Sequence, residues 1–282
     1  MKKSLLMILT IAVVVVCVCT LFACGNKYDY KIGVQNGTTG QKYVEGDVEW
    51  EFDGFSNIDC RGYNNGGLAV QDMLAGQVDF VIIDEMPARA LVNRISGIKI
   101  IEVPLTVEEY AFGVDKAQDN LRIAANEVLA ELKADGTFDA ICRKYFDGEG
   151  TIEGITSASK DLNKAAQQLV VATNAAFAPF EYKIGDKFAG VDMEIAKAIA
   201  DKLGLELVIE DMDFEAVVTS VGVNGVDIAM AGLTKSPARE ESVNFSDSYY
   251  NASQVIIVKA NDTTFDNCTT VEEIEAILRK QA

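Results

Sequence analysis

Two rhythms of apolar and polar positions run along the chain. Short apolar or alternating runs bounded by turn residues predict strands at Lys31–Gln35, Val48–Phe52, Val78–Ile83, Ile98–Val103 and Tyr110–Val114. Between and after them, helical patterns cover 41–45, 64–73, 87–95, 121–133 (stopped by Gly136) and 138–146. A second series follows, with strands at Leu169–Thr173, Leu205–Ile209, Val226–Met230 and Gln254–Val258. Its helices are Val191–Leu203, closed by Gly204, and Thr270–Lys280. Strands alternating with helices predict open parallel α/β sheets. Between the series, Gly148, Gly150, Gly154, Thr156, Ser157 and Ser159 interrupt any apolar period, so this stretch is a connection. One repeat carries function. Val78-Asp79 and Val226-Asp227 each lead through an apolar run to a distinctive residue five positions after the Asp, Asp84 and Gly232. Strand geometry puts both at carboxyl ends of strands, where open α/β sheets bind ligands, and two such ends imply a cleft between two lobes.

The first residues follow neither rhythm. Lys2 and Lys3 precede an apolar run, Leu5–Phe22, that ends in Leu21-Phe22-Ala23-Cys24, the layout of an export signal. Leu-x-Ala-Cys resembles the bacterial lipobox, which implies cleavage before Cys24 and a lipid on that residue. The alternative is an uncleaved membrane anchor, for which the run is nearly long enough. The composition of the whole 282-residue chain, 49% hydrophobic and 24% charged, suits one large domain or two ordinary ones. With 43 acidic against 25 basic residues the net charge is −18, which excludes nucleic acid as a partner. Histidine is absent, so His-ligated metals and His-based acid–base chemistry are excluded. Cys17 and Cys19 leave with the signal and Cys24 goes to lipid. Cys60, Cys142 and Cys268 remain without C-x-x-C spacing, so neither a metal nor a cofactor is expected.

Four features converge on a small zwitterion. Thr38-Thr39-Gly40 sits at a strand-to-helix turn whose N–H groups suit an anion. Arg239 follows Ser236-Pro237, an N-cap and N1 pair, which places a cation in a first helical turn where it calls for an anion. Asp84 is a lone carboxylate after an apolar strand, suited to an ammonium group. Phe177 and Phe214 lie on turn-like segments and suit a sandwich around a small side chain. Each has an ordinary alternative: a Gly-Thr-Thr-Gly segment is commonly just a turn, an Arg near a helix start a weak surface ion pair, a turn Phe a core plug.

Longer motifs carry a resemblance. Asn174-Ala175-Ala176-Phe177-Ala178-Pro179-Phe180-Glu181-Tyr182, Gly190-Val191-Asp192-Met193-Glu194-Ile195-Ala196, Asp213-Phe214, Ala231-Gly232-Leu233-Thr234, Pro237-Ala238-Arg239 and Val243-Asn244-Phe245-Ser246 resemble the family 3 solute-binding proteins of bacterial polar amino-acid ABC transporters. Ile32–Gly40, Ile83-Asp84-Glu85, Gly136-Thr137-Phe138 and Lys144-Tyr145-Phe146 match that family's other stretches, but in the wrong order. The part that should come last comes first. The resemblance therefore implies a two-lobed clamshell of the type II periplasmic-binding-protein kind, circularly permuted, with a fusion of truncated genes as the alternative. The implied division is a signal over 1–23, a tether over 24–30, a small lobe from 31–110 plus 254–282, and a large lobe over 111–253 containing a 148–168 linker. Crossing strands near Glu109–Gly113 and Ser253–Ile257 form the hinge. The implied placement of strand 48–52 and helix 270–280 makes Cys60–Cys268 the one candidate disulfide beside three free thiols.

By resemblance, Arg239 and the N–H groups of Thr39 and Thr234 hold an α-carboxylate. Asp84, the Gly232 carbonyl and the Thr234 hydroxyl hold the α-ammonium, and Phe177 and Phe214 flank the side chain. Asn174, Gln35 and Thr38 complete the pocket. Relatives for basic side chains often carry Asp where this chain has Asn174, which favours a neutral polar amino acid over a basic one. The implied partners are a free amino acid and a membrane permease. The implied location is the outer face of the bacterial cytoplasmic membrane, or its periplasmic side, with the chain monomeric and lipid-anchored. No catalytic residue is called. The alternatives are a secreted cyclohexadienyl- or arogenate-dehydratase-like enzyme using Glu181 or Glu85, and an amino-acid sensor module.

Overall fold

The structure is a computed structural model that describes residues 28–279; the signal segment, Cys24 and most of the tether lie outside the described residues. In chain order, β1 (Tyr30–Gln35) leads into α1 (Thr39–Glu45), a 3-10 turn (Val48–Trp50), β2 (Ile58–Tyr63), α2 (Gly66–Leu74), β3 (Phe80–Asp84), α3 (Glu85–Arg94) and β4 (Ile98–Ile101). Next come β5 (Glu108–Tyr110), β6 (Gly113–Asp115), α4 (Asp119–Ala134) and α5 (Thr137–Cys142). The second series holds β7 (Gln168–Thr173), β8 (Ala176–Phe177), β9 (Glu181–Ile184), β10 (Lys187–Ala189), α6 (Val191–Leu203), β11 (Glu206–Asp211), α7 (Phe214–Ser220) and β12 (Ile228–Ala229). It closes with α8 (Pro237–Glu240), β13 (Val243–Phe245), β14 (Tyr250–Ala252), β15 (Gln254–Lys259) and α9 (Val271–Leu278).

Two five-stranded sheets organise an α/β fold of two lobes, in the orders β2-β1-β3-β15-β4 (lobe I) and β11-β7-β12-β6-β13 (lobe II). Both sheets are mixed, which corrects the expectation of all-parallel sheets. In lobe I, β15 runs antiparallel to β3 and β4; in lobe II, β6 runs antiparallel to β12 and β13. The reason is where the chain enters. Gln254 starts β15 opposite Asp84, the last residue of β3, and Gly113 starts β6 opposite Ala229, the last of β12. A strand that arrives from the other lobe begins at the carboxyl ends of its neighbours and must run the opposite way. The expected strand 110–114 is accordingly two strands, split at the crossing by Ala111 and Phe112. The two crossings pair with each other, β5 on β14, with Glu108 opposite Ala252 and Tyr110 opposite Tyr250.

Three apolar clusters hold this frame. Ile32, Val34, Ile82, Phe80 and Phe265 pack one face of sheet I under α1 and α9. Val170, Ala172, Val208 and Val217 pack one face of sheet II under α7. The largest cluster joins the remaining faces of both sheets and includes Tyr110, Phe177 and Phe180, so the lobes share apolar surface as well as backbone. Thr270 and Glu273 form a reciprocal capping box at the start of α9, and Asn65 caps α2 by accepting from the Leu68 N–H at 3.0 Å. The 148–168 connection lies along lobe II, where Ile155 exchanges backbone bonds with Phe188.

The expected strand Val48–Phe52 is absent. The Asp47 carboxylate accepts from the Glu49 N–H at 3.0 Å and starts a 3-10 turn, a local bond that competes with a strand. Asp47 and Phe52 then bond each other through both backbone groups, closing the loop on itself. The strand that joins sheet I is β2, about one loop later. Cys60 lies on it, and Cys60, Cys142 and Cys268 are all free thiols. The candidate bridge is therefore not formed, although Cys60 and Cys268 rest on the same apolar cluster. Burial and the nearby Glu45 push the Cys60 thiol up to about 12, so it is inert.

The neck of this loop depends on two glycines. Gly46 has φ 85° and Gly54 has φ 66°, and a Cβ on Gly54 would lie 2.4 Å from the Gly46 nitrogen. Both the left-handed conformation and the backbone contact exclude a side chain. Gly54→Ala is expected to destabilise the fold by roughly 2 kcal/mol or more, read as a lower midpoint in thermal unfolding by circular dichroism.

Candidate functional site

The carboxyl ends of both sheets face one crevice, crossed by β5 and β14. From lobe I come Gln35 at the end of β1, Thr38 and Thr39 at the start of α1, and Asp84 at the end of β3. From lobe II come Asn174 after β7, Gly232 and Thr234 after β12, and Arg239 in α8. All of these are buried except Gly37, whose carbonyl joins the set from the turn before Thr38. Ser236 caps α8, accepting from the Arg239 N–H at 3.3 Å, and Pro237 holds the first helical position, as the Ser-Pro pair requires.

Direct bonds cross the crevice. The Gln35 amide donates to the Asn174 side-chain oxygen at 2.9 Å, and the Thr39 hydroxyl donates to the Thr234 hydroxyl at 3.2 Å. The Arg239 guanidinium donates to the Thr234 carbonyl at 2.7 Å in its own lobe and to the Gly37 carbonyl at 3.0 Å in the other. Those bonds use two of its five N–H donors. Arg239 is 9% exposed and makes no ion pair among the described residues. Burial lowers its pKa from 12.5 to about 10, a fall resisted by Glu108 and Asp84, so both acids act on the same guanidinium. A buried cation whose hydrogen bonds go to carbonyls retains the capacity to take an anion.

Asp84 stands at the other end. The Tyr110 hydroxyl donates to its Oδ1, and Gln254 is a further donor to the carboxylate. Burial raises the Asp84 pKa and the neighbouring Glu108 raises it further, so the carboxyl is short of positive charge. Glu108 is 4% exposed and gathers three donors: Thr234 Oγ1 at 2.6 Å, Thr106 Oγ1 at 2.6 Å and Gln254 Nε2 at 3.0 Å. The side-chain oxygens of Gln35 and Gln254 are buried and have no donor among the described residues.

The structure brings most of the sequence-derived residues together and reassigns several. The Thr38 hydroxyl donates to the Gln35 carbonyl at 2.7 Å, so it closes its own turn. The Thr234 hydroxyl is given to Glu108 rather than left free. Gly232 is held by its N–H, which donates to Asp192 at 2.9 Å, and a Cβ on it would strike Phe177 at 2.8 Å. Phe177 and Phe214 do not flank one space. Phe177 lines a cavity of about 290 Å³ with Ile83 and Asn65, whereas Phe214 lines another of about 320 Å³ with Arg239 and Trp50. A third cavity, of about 500 Å³, opens beside Thr39, Thr234, Glu108 and Trp50. Glu108, Tyr110, Gln254 and Trp50 carry weight that the sequence reading missed. The only signals were a Glu-Glu-Tyr run on a short strand and the chain's single tryptophan.

Behind the crevice lie two more buried acids. Asp192 accepts from Gly232 N and from the Tyr249 hydroxyl at 2.6 Å, and burial raises its pKa from 3.8 to about 7. Glu181 is fully buried, neither oxygen has a hydrogen-bond partner among the described residues, and burial, then Asp192 and Asp84, push it well above its usual range. Folded, these acids hold protons more tightly than unfolded. Their contribution is complete below the ordinary carboxyl pKa of 3.8 and is lost as pH rises toward about 7, where Asp192 ionises. Thermal unfolding is expected to give a higher midpoint near pH 5 than near pH 8, and Asp192→Asn to flatten that slope, whereas an unchanged slope would remove Asp192 as its source.

Residues 169–281 match the family described as bacterial extracellular solute-binding proteins, family 3. The chain is 40% identical over 103 residues to the arginine-binding extracellular protein ArtP of Bacillus subtilis, covering 36% of this chain and 40% of that protein. It is 30% identical over 125 residues to the histidine-binding periplasmic protein of Salmonella typhimurium, covering 42% and 46%. Among solved structures, an ancestral arginine-binding protein bound to arginine is 38% identical over 30% of this chain and 38% of its own, with a TM-score of 0.29. The chain thus spans less than half the length of the curated relatives it matches. This matched segment supplies Asn174, Gly232, Thr234 and Arg239 to the crevice, and over it the chain is similar to the bacterial extracellular solute-binding proteins of family 3.

Proposed function

We propose that the crevice binds one free L-amino acid by closure of the two lobes, and that the closed form hands it to a membrane permease. The observation that carries this reading is Arg239, a buried guanidinium without an anion, facing Asp84, a buried carboxyl without a cation, from the opposite lobe. An α-carboxylate and an α-ammonium on one carbon supply both missing charges at once. Only a closed crevice satisfies both, so the ligand stabilises closure. The β5–β14 ladder is the hinge in this proposal, between a small lobe of 31–110 plus 254–282 and a large lobe of 111–253.

For the side chain, the crevice favours a nitrogen-rich donor. Glu108, and the Gln35 and Gln254 oxygens that lack donors, are acceptors, and they support a basic amino acid, the class named in several relatives. The uncharged Asn174, whose amide donates to the Met212 carbonyl, favours a neutral polar one instead. Comparing L-arginine with L-glutamine separates the two. The enzymatic alternative needs Glu181 or Glu85 at a substrate. Glu181 is sealed from solvent and Glu85 pairs with Arg89 at 2.9 Å, which weighs against it. A sensor module would use the same crevice and differ only in its downstream partner.

Two further readings belong here. A circular permutation, with 148–168 joining the former termini, accounts for family motifs in an inverted order and for matches that span one stretch of each relative. Lipid attachment at Cys24 accounts for the Leu-x-Ala-Cys segment and puts the chain on the outer face of the membrane; no described helix is long and apolar enough to cross it.

Titration calorimetry of the full chain in detergent against the twenty amino acids is expected to find binding to at least one. Arg239→Ala should weaken it ~100-fold or more, because the carboxylate loses its charged partner in a buried site. Retained affinity in that variant would rule out this crevice as the site. In cells, Cys24→Ser is expected to release the protein from the membrane fraction, and membrane retention would favour an uncleaved anchor.

A further inference from the structure

Trp50 is outside every motif that the family match and the sequence reading assign to the crevice. It ends the 3-10 turn that replaces the expected strand 48–52, and the glycine neck at Gly46 and Gly54 fixes that loop to lobe I. Its position is further braced by the Lys42–Asp47 ion pair at 2.8 Å, since Asp47 caps the turn. The indole meets a charged group of the other lobe. The Arg239 guanidinium lies over the Trp50 ring, 5.0 Å from its centroid, and over the Phe214 ring at 5.3 Å. Trp50 belongs to lobe I, and Arg239 and Phe214 belong to lobe II. Trp50 also lines both cavities at this end of the crevice, of about 500 and 320 Å³, and Arg239 shares the second with it.

Resting on the amino-acid-binding reading, we propose that Trp50 is a positioning residue for ligand binding: its indole stacks on Arg239 across the closed crevice and holds the guanidinium where its free N–H donors meet the ligand carboxylate. The physics is direct. A guanidinium is weakly hydrated and stacks well on aromatic faces, and the attraction grows when water is excluded. The Trp50 and Phe214 rings lie beside it and the Thr234 and Gly37 carbonyls take two of its donors, which limits where the remaining donors can point. Opening the lobes separates Trp50 from Arg239. The stack therefore forms only on closure, so the group that grips the ligand also helps to hold the lobes together. This assigns Phe214 a different part from the one its motif suggests, as the lobe II platform for the same cation.

Trp50 is the only tryptophan in the chain, so its emission reports on the stack without any label. In the full chain, addition of the amino acid that binds is expected to shift the emission maximum and decrease quenching by acrylamide; an emission that a saturating ligand leaves unchanged would overturn the proposal. Binding is then measured with L-arginine, L-glutamine and the other amino acids as probes. Trp50→Leu, which keeps apolar bulk but has no aromatic face, is expected to weaken binding ~10-fold, mainly through faster dissociation, while Trp50→Phe stays within ~3-fold of wild type. Equal affinities for Trp50→Leu and wild type would overturn the role of Trp50 while leaving the amino-acid reading intact. Equal losses in Trp50→Leu and Trp50→Phe would likewise overturn the stacking role. A wild-type chain that binds none of the twenty would overturn the reading of function and this proposal together.

Discussion

The crevice depends on one unbalanced charge. Arg239 is held in a nearly dry setting by two carbonyls and two aromatic rings, with no carboxylate paired to it. A buried cation of this kind is costly unless an anion arrives, and simple removal of one partner of such a site leaves an uncompensated charge behind. The rest of the site is arranged around that deficit. Ser236 and Pro237 start the short helix that carries Arg239, the Thr234 carbonyl fixes it within its lobe, and the Gly37 carbonyl ties it to the other.

The opposite end of the crevice has the opposite deficit. Asp84, Glu108, Asp192 and Glu181 form a band of buried acids from β3, β5, α6 and β9; among the described residues the first three are met by the hydroxyls of Tyr110, Thr234, Thr106 and Tyr249 and the Gln254 amide rather than by side-chain cations. Hydroxyls stabilise a carboxylate without neutralising it, so at Asp84 and Asp192 burial outweighs the hydrogen bonds and raises the pKa. Under the proposed reading, an anion-seeking end and a cation-seeking end on different lobes would link ligand capture to lobe position through charge.

Elements with strong local signals were legible in the sequence. The helix Val191–Leu203 appears with the bounds its pattern predicts, because its apolar stripe, Gly190 and Gly204 all agree. Asp84 and Gly232 fall at or just past strand ends, because a period-2 run of known length leaves little freedom in where it stops. Val48–Phe52 failed for the complementary reason. Its apolar residues suit a strand, but the Asp47 side chain satisfies the Glu49 N–H and Glu51 takes a left-handed φ of 58°, so local polar bonding overrode the pattern.

The sequence by itself determined the α/β alternation, the acidic and histidine-free chemistry, and the charged residue set Asp84 and Arg239, since these follow from periodicity and residue type. Only the tertiary structure decided the direction of β6 and β15, the division of Phe177 and Phe214 between different cavities, and the placement of Trp50 over Arg239. Each of those is a relation between segments of chain more than thirty residues apart. Strand direction depends on which lobe the chain arrives from, and stacking depends on where a loop fixed to one lobe meets a side chain fixed to the other. No local pattern encodes such distances, because they are set by how the two lobes close on each other.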